Sequence, residues 1–365
     1  MCRESPRHGR HSCKSAVTRE TQTISESSIA DGVLPALDAS RCVHELLPNA
    51  SCRACVDACP DGALTLDDAA LHFENGSCDA CGLCVPACPQ QAIRLPLPIE
   101  QRTLSDAPIL LACCEFSEGD GEAGRLPCLH SISLMDLLRN RQHGSLSWLV
   151  MRGDCDHCAR GTGERLEARI ALLNAALAER RQPVILLREI SIAVWTHLIV
   201  RQANSVAARR GFFGALAKRP LSALITDSVS VQDETPRAPG ELMPMQRVGV
   251  LPWSIQLDAE RCTGCHACAR LCPQGAIEQD GGEPPTYRLR HARCTGCGLC
   301  SDVCQSNAVS PQSWCEAEID EVTLKTHRCV ACGISFEMPA VRGSVSLCWV
   351  CSRALPVRRL RQVMT

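Results

Sequence analysis

The chain has 365 residues, enough for two or three domains of ordinary size, and 28 of them are cysteine. Lys and Arg number 38 against 40 Asp and Glu, so the formal charge of −2 gives no global basic field and points away from nucleic acid. With only 5 Phe, 5 Trp and 1 Tyr, a core of Leu, Val, Ile and Ala needs covalent or inorganic reinforcement. The longest apolar stretch, residues 190–200, is interrupted by Ser191, Thr196 and His197 and is far shorter than the ~20 residues that span a bilayer, so membrane insertion is not expected. The N-terminal stretch has no apolar h-region and no twin arginine, which argues against export. Cysteines in close C-x-x-C runs suit metal better than disulfides, and the expected compartment is the reducing cytoplasm.

In chain order, residues 1–38 are polar, rich in Ser, Thr and Arg and without period, which predicts a disordered tail in which Cys2 and Cys13 are incidental. Residues 39–100 carry two cysteine runs. The second, Cys78, Cys81, Cys84 and Cys88 followed by Pro89, reproduces the iron–sulfur spacing C-x2-C-x2-C-x3-C-P. The first keeps the last three positions as Cys52, Cys55 and Cys59 before Pro60, but Asn49 stands where the first cysteine belongs. Cys42 is read as the displaced first ligand, beyond an inserted loop, with His44 as a nearby substitute.

Residues 106–226 change character. A strand at Ile109–Ala112, a helix at Leu134–Asn140, a strand at Leu146–Met151, a helix at Glu164–Arg181 and a strand at Val184–Leu187 predict a parallel sheet. Leu166, Ile170, Leu173 and Leu177 give the second helix an apolar stripe to lay on it. Cys113, Cys114, Cys128, Cys155 and Cys158 all fall after or between these strands, at the carboxyl edge where open α/β sheets bind ligands. Residues 206–219 mix Arg and Lys with Phe212 and Phe213, a covering helix, and 227–250 is a Pro-punctuated linker.

Residues 251–312 repeat the first pattern. Cys262, Cys265, Cys268 and Cys272 precede Pro273, and Cys294, Cys297, Cys300 and Cys304 keep every spacing but have Gln305 in the proline position. In 322–356, Cys329-x2-Cys332 and Cys348-x2-Cys351 stand 15 residues apart, the spacing of a zinc ribbon, with rubredoxin-like iron as the rival occupant. Arg353, Arg358, Arg359 and Arg361 make the C-terminal end basic.

Each block of paired runs resembles a bacterial-type ferredoxin domain with two 4Fe-4S clusters. The resemblance implies that the fourth cysteine of a run serves the neighbouring cluster, giving four quartets. These are Cys42, Cys52, Cys55 with Cys88; Cys78, Cys81, Cys84 with Cys59; Cys262, Cys265, Cys268 with Cys304; and Cys294, Cys297, Cys300 with Cys272. In the middle segment, Ala112-Cys113-Cys114, Leu126-Pro127-Cys128-Leu129 and Arg152-Gly153-Asp154-Cys155 resemble the iron–sulfur delta subunit of methyl-viologen-reducing hydrogenase. That resemblance implies a 2Fe-2S cluster on these cysteines and electron passage between a hydrogenase and a flavin-containing partner. The adjacent pair at 113–114 and Val150-Met151-Arg152 depart from the family pattern. The whole arrangement looks like proteobacterial 4Fe-4S proteins associated with formate-dehydrogenase-type molybdoenzymes.

No G-x-G-x-x-G, P-loop, H-E-x-x-H or Ser/His/Asp pattern supplies a substrate-activating site, so no catalytic residue is assigned. The expected fold is α+β and multidomain: two ferredoxin-like domains flanking a small parallel-sheet α/β domain, then a zinc ribbon. The expected function is a polyferredoxin-like relay passing single electrons between a redox enzyme, of molybdoenzyme or hydrogenase type, and a soluble acceptor. The alternative is a non-catalytic assembly or redox-sensing factor for such an enzyme.

Overall fold

The computed structural model describes residues 34–67, 70–119, 122–161, 165–199, 237–244 and 249–354. Cys2, Cys13, nearly all of the expected N-terminal tail, the 206–219 helix and the arginines beyond Arg353 lie outside them. The architecture is mixed α and β, with short helices and several small sheets. No helix among the described residues is long and apolar enough to cross a membrane.

The two cysteine-run blocks share one plan. In the first, strand Ala36–Leu37 pairs antiparallel with Ile93–Arg94, and Leu64–Leu66 forms a hairpin with Leu71–Phe73. In the second, Leu251–Leu257 pairs antiparallel with Val309–Cys315, and Ile277–Asp280 forms a hairpin with Thr286–Leu289. The cysteines sit on the turns and one-turn helices between these strands, such as Ala54–Asp57, Cys84–Ala87, Ala267–Leu271 and Leu299–Asp302. Residues 36–37 therefore belong to the first block and not to a disordered tail. The reason is apolar: Leu37 packs with Cys55, Leu64 and Ile93 in the small core of that block.

Between the blocks lies a sheet in the order Glu100–Leu104, Ala107–Cys114, Ser147–Met151, Leu186–Glu189. The first pair is antiparallel and the others are parallel, with the short strand Arg125–Leu126 alongside Cys113–Cys114. Helix Leu134–Gln142 starts at a capping box in which Ser133 and Asp136 exchange side-chain and backbone hydrogen bonds. Helix Leu166–Glu179 buries Leu166, Ile170, Leu173 and Leu177 against Trp148, Val150 and Leu110 on one sheet face. The other face is covered by residues 190–199, where Trp195 packs on Ile109, Leu111 and Met151.

Part of the expected linker is structural. Helix Pro239–Leu242 sits among the core residues of the sheet domain, with Ala238, Leu242 and Met243 buried, because three apolar side chains in a short segment gain more by docking than by exposure. At the C-terminal end, Glu321–Arg328 adds to the second block's hairpin, Thr286 opposite Thr323, and Ser335–Pro339 extends the sheet to four strands. The Cys329 to Cys351 segment is thus joined to the second block by a continuous hydrogen-bond ladder.

Leu173 is fully buried at the centre of the helix–sheet interface. Leu173→Ala should cost the sheet domain about 2–5 kcal/mol, read as a shifted denaturation midpoint by far-UV circular dichroism.

Candidate metal centres

The structure gathers the cysteines of the two blocks into groups drawn from separate runs. Cys42, Cys52, Cys55 and Cys88 line one concave space together with Val43, Leu66 and Ala92. Cys59 lies with Cys78 and Cys84, while Cys81, three residues before Cys84, packs beside Leu83 and Cys128. Cys272, Cys294, Cys297 and Cys300 line a second apolar space with Ile255, Ala276 and Leu299. Cys262, Cys265 and Cys268 are close to one another and to Cys304.

The local backbone is arranged around the sulfurs. Four residues after the last cysteine of each run, an alanine amide donates to its Sγ: Ala63 to Cys59 at 3.3 Å, Ala92 to Cys88 at 3.3 Å, Ala276 to Cys272 at 3.2 Å and Ala308 to Cys304 at 3.2 Å. All four alanines are buried, as the small residue at this point must be for the chain to turn over the sulfurs. Amides two residues after the first cysteine do the same, from Ala80 to Cys78 and from Gly264 to Cys262, each at 3.4 Å. Gly264 has φ +67°, and a Cβ there would collide with the Glu337 carbonyl; Gly296, at φ +74°, would collide with the Trp253 ring. These glycines are fixed by neighbouring protein as much as by the sulfurs.

His44 is turned away from the ligand role. Its Nδ1 lies 3.2 Å from the Pro48 carbonyl and its Nε2 2.9 Å from the Cys52 carbonyl, so whichever nitrogen carries the proton donates to the backbone of the inserted loop and staples it. Cys42, by contrast, is in the first group.

The thiols of both blocks are strongly desolvated. Burial, then the neighbouring thiols, pushes Cys55 and Cys268 up to about 12; burial does the same to Cys81, Cys84, Cys294 and Cys300. A cluster of desolvated sulfurs has thiolate character only when cations compensate it, and iron does so while accepting four thiolates per cubane. Donor type, number and N–H···S contacts all fit 4Fe-4S clusters.

The C-terminal group is tighter. The sulfurs of Cys329, Cys332, Cys348 and Cys351 all lie within 4.8 Å of one another, with Cys332 and Cys348 at 3.9 Å. Four bonds of ~2.3 Å to one tetrahedral ion place sulfurs roughly 3.8 Å apart, so this group fits a single ion and not a cubane. Backbone hydrogen bonding at Cys348, then at Cys332 and Ala331, holds the Cys329 thiol down to about 6 and favours the ligating thiolate.

The five middle cysteines do not form one group. Successive strand residues point to opposite faces, so Cys113 is buried beside Met151 and Trp195 whereas Cys114 faces the other layer. Cys114 is close enough to Cys128 and Cys155 to help raise their thiols, burial being the main cause for both. Cys158 follows Cys155 by one 3-10 turn. This group adjoins the first block: Cys128 packs with Cys81 and Leu83, and Arg160 pairs with Asp79 while donating to the Pro127 carbonyl at 2.6 Å. Cys315, which the run spacing leaves out, sits 2.9 Å from Ser254 Oγ across paired strands.

Two segments match the family model of the 4Fe-4S dicluster domain, residues 50–92 and 261–308. They contain fifteen of the sixteen grouped cysteines, all but Cys42. No curated protein matches the chain. The matches and the grouped thiols together support 4Fe-4S clusters in both blocks and an iron–sulfur electron-transfer protein.

The raised thiols carry a pH signature. A thiol whose folded pKa lies above its unfolded value of 9.0 favours the fold below pH 9, and that contribution is lost as pH rises toward about 12. Metal-free protein should therefore lose melting temperature steadily between pH 9 and 11, while iron-loaded protein, whose thiols are already ligating, should lose much less. Paired circular-dichroism melts of the two forms measure the difference.

Proposed function

We propose that the chain is a polyferredoxin-like relay carrying four 4Fe-4S clusters, on the quartets Cys42/Cys52/Cys55/Cys88, Cys59/Cys78/Cys81/Cys84, Cys262/Cys265/Cys268/Cys304 and Cys272/Cys294/Cys297/Cys300. Such clusters, when bound, supply reversible one-electron storage at clearly negative potentials. The observation that carries the reading is the grouping of thiols from separate runs around apolar spaces, each run closed by an alanine amide. The protein's part is to fix the thiolates, to limit water through Leu64, Ile93, Ile277 and Val309, and to tune the sulfurs with N–H donors.

The C-terminal thiolates Cys329, Cys332, Cys348 and Cys351 hold zinc as a closed structural site, and they brace the second block through Arg342, which donates to the Cys262 carbonyl at 3.1 Å. Cys114, Cys128 and Cys155, with Cys158, form the candidate 2Fe-2S ligand set, as in the hydrogenase delta subunit that the segment resembles; Cys113 is excluded by its face. The partner is a redox protein of molybdoenzyme or hydrogenase type that exchanges electrons through this chain with a soluble acceptor in the cytoplasm.

Metal analysis of anaerobically purified protein tests the reading. About sixteen irons with matching acid-labile sulfide are expected for four cubanes, about eighteen with the 2Fe-2S centre, and about one zinc. Electron paramagnetic resonance should show signals that appear with dithionite and disappear on reoxidation with the iron count unchanged. Iron that leaves on the first mild oxidation would favour a sensor over a relay. Cys265→Ala should lose about four irons and destabilise the second block. Cys332→Ser should lose zinc alone; loss of a reducible iron signal instead would make that site rubredoxin-like.

A further inference from the structure

Gln90 is a buried polar residue whose hydrogen bonds cross from one block to the other. Its Nε2 donates to Thr295 Oγ1 at 2.7 Å, its Oε1 accepts from Gln274 Nε2 at 2.9 Å, and its side chain reaches the Cys297 thiol. Gln90 also lines the space of the Cys42/Cys52/Cys55/Cys88 quartet, while Gln274 and Thr295 line that of Cys272/Cys294/Cys297/Cys300. Only one side-chain layer separates the two.

The junction is built symmetrically. Gln90 follows Cys88-Pro89 and Gln274 follows Cys272-Pro273, so each glutamine lies two residues after the lone ligand that its quartet takes from another run. A second contact comes from the insertion. Residues 43–51, which displace Cys42 from regular spacing, end in Ser51, whose amide and hydroxyl donate to Asp302 at 2.9 and 2.6 Å. Asp302 ends the helix that carries Cys300. The His44 staple shapes this loop, so the irregular first run is also the docking element for the second block.

We propose that Gln90, Gln274 and Thr295, with Ser51 and Asp302, join the blocks into a single electron path by holding the Cys42/Cys52/Cys55/Cys88 and Cys272/Cys294/Cys297/Cys300 quartets as nearest neighbours. The order of centres is then Cys59/Cys78/Cys81/Cys84, Cys42/Cys52/Cys55/Cys88, Cys272/Cys294/Cys297/Cys300, Cys262/Cys265/Cys268/Cys304. Clusters bound there would pass one electron at a time, each oxidised as the next is reduced, with an external low-potential one-electron donor and an acceptor at the two ends. Gln90 is a positioning residue. The proposal rests on the relay reading above, and its test separates the two.

The full chain, loaded with iron and sulfide and reduced with dithionite, is examined by electron paramagnetic resonance alongside its metal content. Cys55→Ala, which removes an inner centre, should narrow the second-block signal, whereas Cys84→Ala, which removes the outer centre of the same block, should not. Gln90→Leu should keep about sixteen irons and lose the magnetic coupling between blocks; Thr295→Val, which deletes one hydroxyl, gives the same readout if the leucine variant folds poorly. A fully loaded Gln90→Leu protein with wild-type line shape, or a Cys55→Ala protein with an unaltered second-block signal, overturns the junction and leaves the relay standing. Wild-type protein far short of sixteen irons overturns both.

Discussion

A thiol desolvated beside three others is stable either as a neutral group or as a thiolate bound to a cation, and the shape of both blocks follows from that constraint. With one Tyr and 5 Phe in the chain, the strand pairs and hairpins are too short to close a core by themselves. They surround sulfur instead. The alanine amides aimed at Sγ, the buried apolar residue after each alanine and the tight turns at Gly264 and Gly296 all make sense as packing around an inorganic centre. Binding free energy for iron then adds to the folding free energy of the blocks, while the middle sheet, with Trp148, Leu173 and Leu177 buried, folds on ordinary hydrophobic terms.

What could be read from the sequence divides along the same line. Spacing within a run is local, so Cys78 to Cys88 and Cys262 to Cys304 declare their chemistry without a fold, and the period of Leu166, Ile170, Leu173 and Leu177 declares the helix stripe. The face of Cys113 was also legible, since two adjacent strand residues cannot share a side, but topology alone placed all five middle cysteines at one edge. The addition of Glu321–Arg328 to the second block's sheet and the docking of Pro239–Leu242 depend on contacts between distant segments, which no local pattern reveals. The glutamines that follow Cys88-Pro89 and Cys272-Pro273 were visible as a repeat; their meeting was not.

The ends of the row of thiol groups are built differently. At one end, Arg160 ties Asp79 to Pro127 and Glu115 and lies over the Phe116 ring, so Cys81 and Cys128 share a wall braced by a half-buried ion pair. Burial works against the Asp79 charge, but hydrogen bonds from Arg160 and Cys81 hold its carboxyl below the usual range. Paired in this way, the carboxylate draws on the guanidinium and adds little net negative field to the cysteines beside it. At the other end, Arg342 reaches the Cys262 carbonyl and Arg353 bonds Gln305, so the tight four-thiol segment is clamped onto the outer second-block group. Both outer groups thus meet a further sulfur-bearing element.

The seam between the blocks is polar although an apolar one would bind more strongly. A buried amide is tolerated only when both its donor and acceptor sides are met, and Gln90 meets them with Thr295 and Gln274. Such a network adds little net stability, yet it penalises every other register of the two blocks, because a shift leaves the buried Gln90 and Thr295 and the half-buried Gln274 unpaired. Leu–Leu packing at the same place would tolerate sliding by an ångström or more. The two exposed hydrogen bonds from Ser51 to the Asp302 carboxylate add a second anchor off the axis of the glutamines and so remove rotation as well as translation. A seam that trades affinity for register is what a fixed spacing between two redox centres requires, and it accounts for an insertion that otherwise only disrupts a cysteine motif.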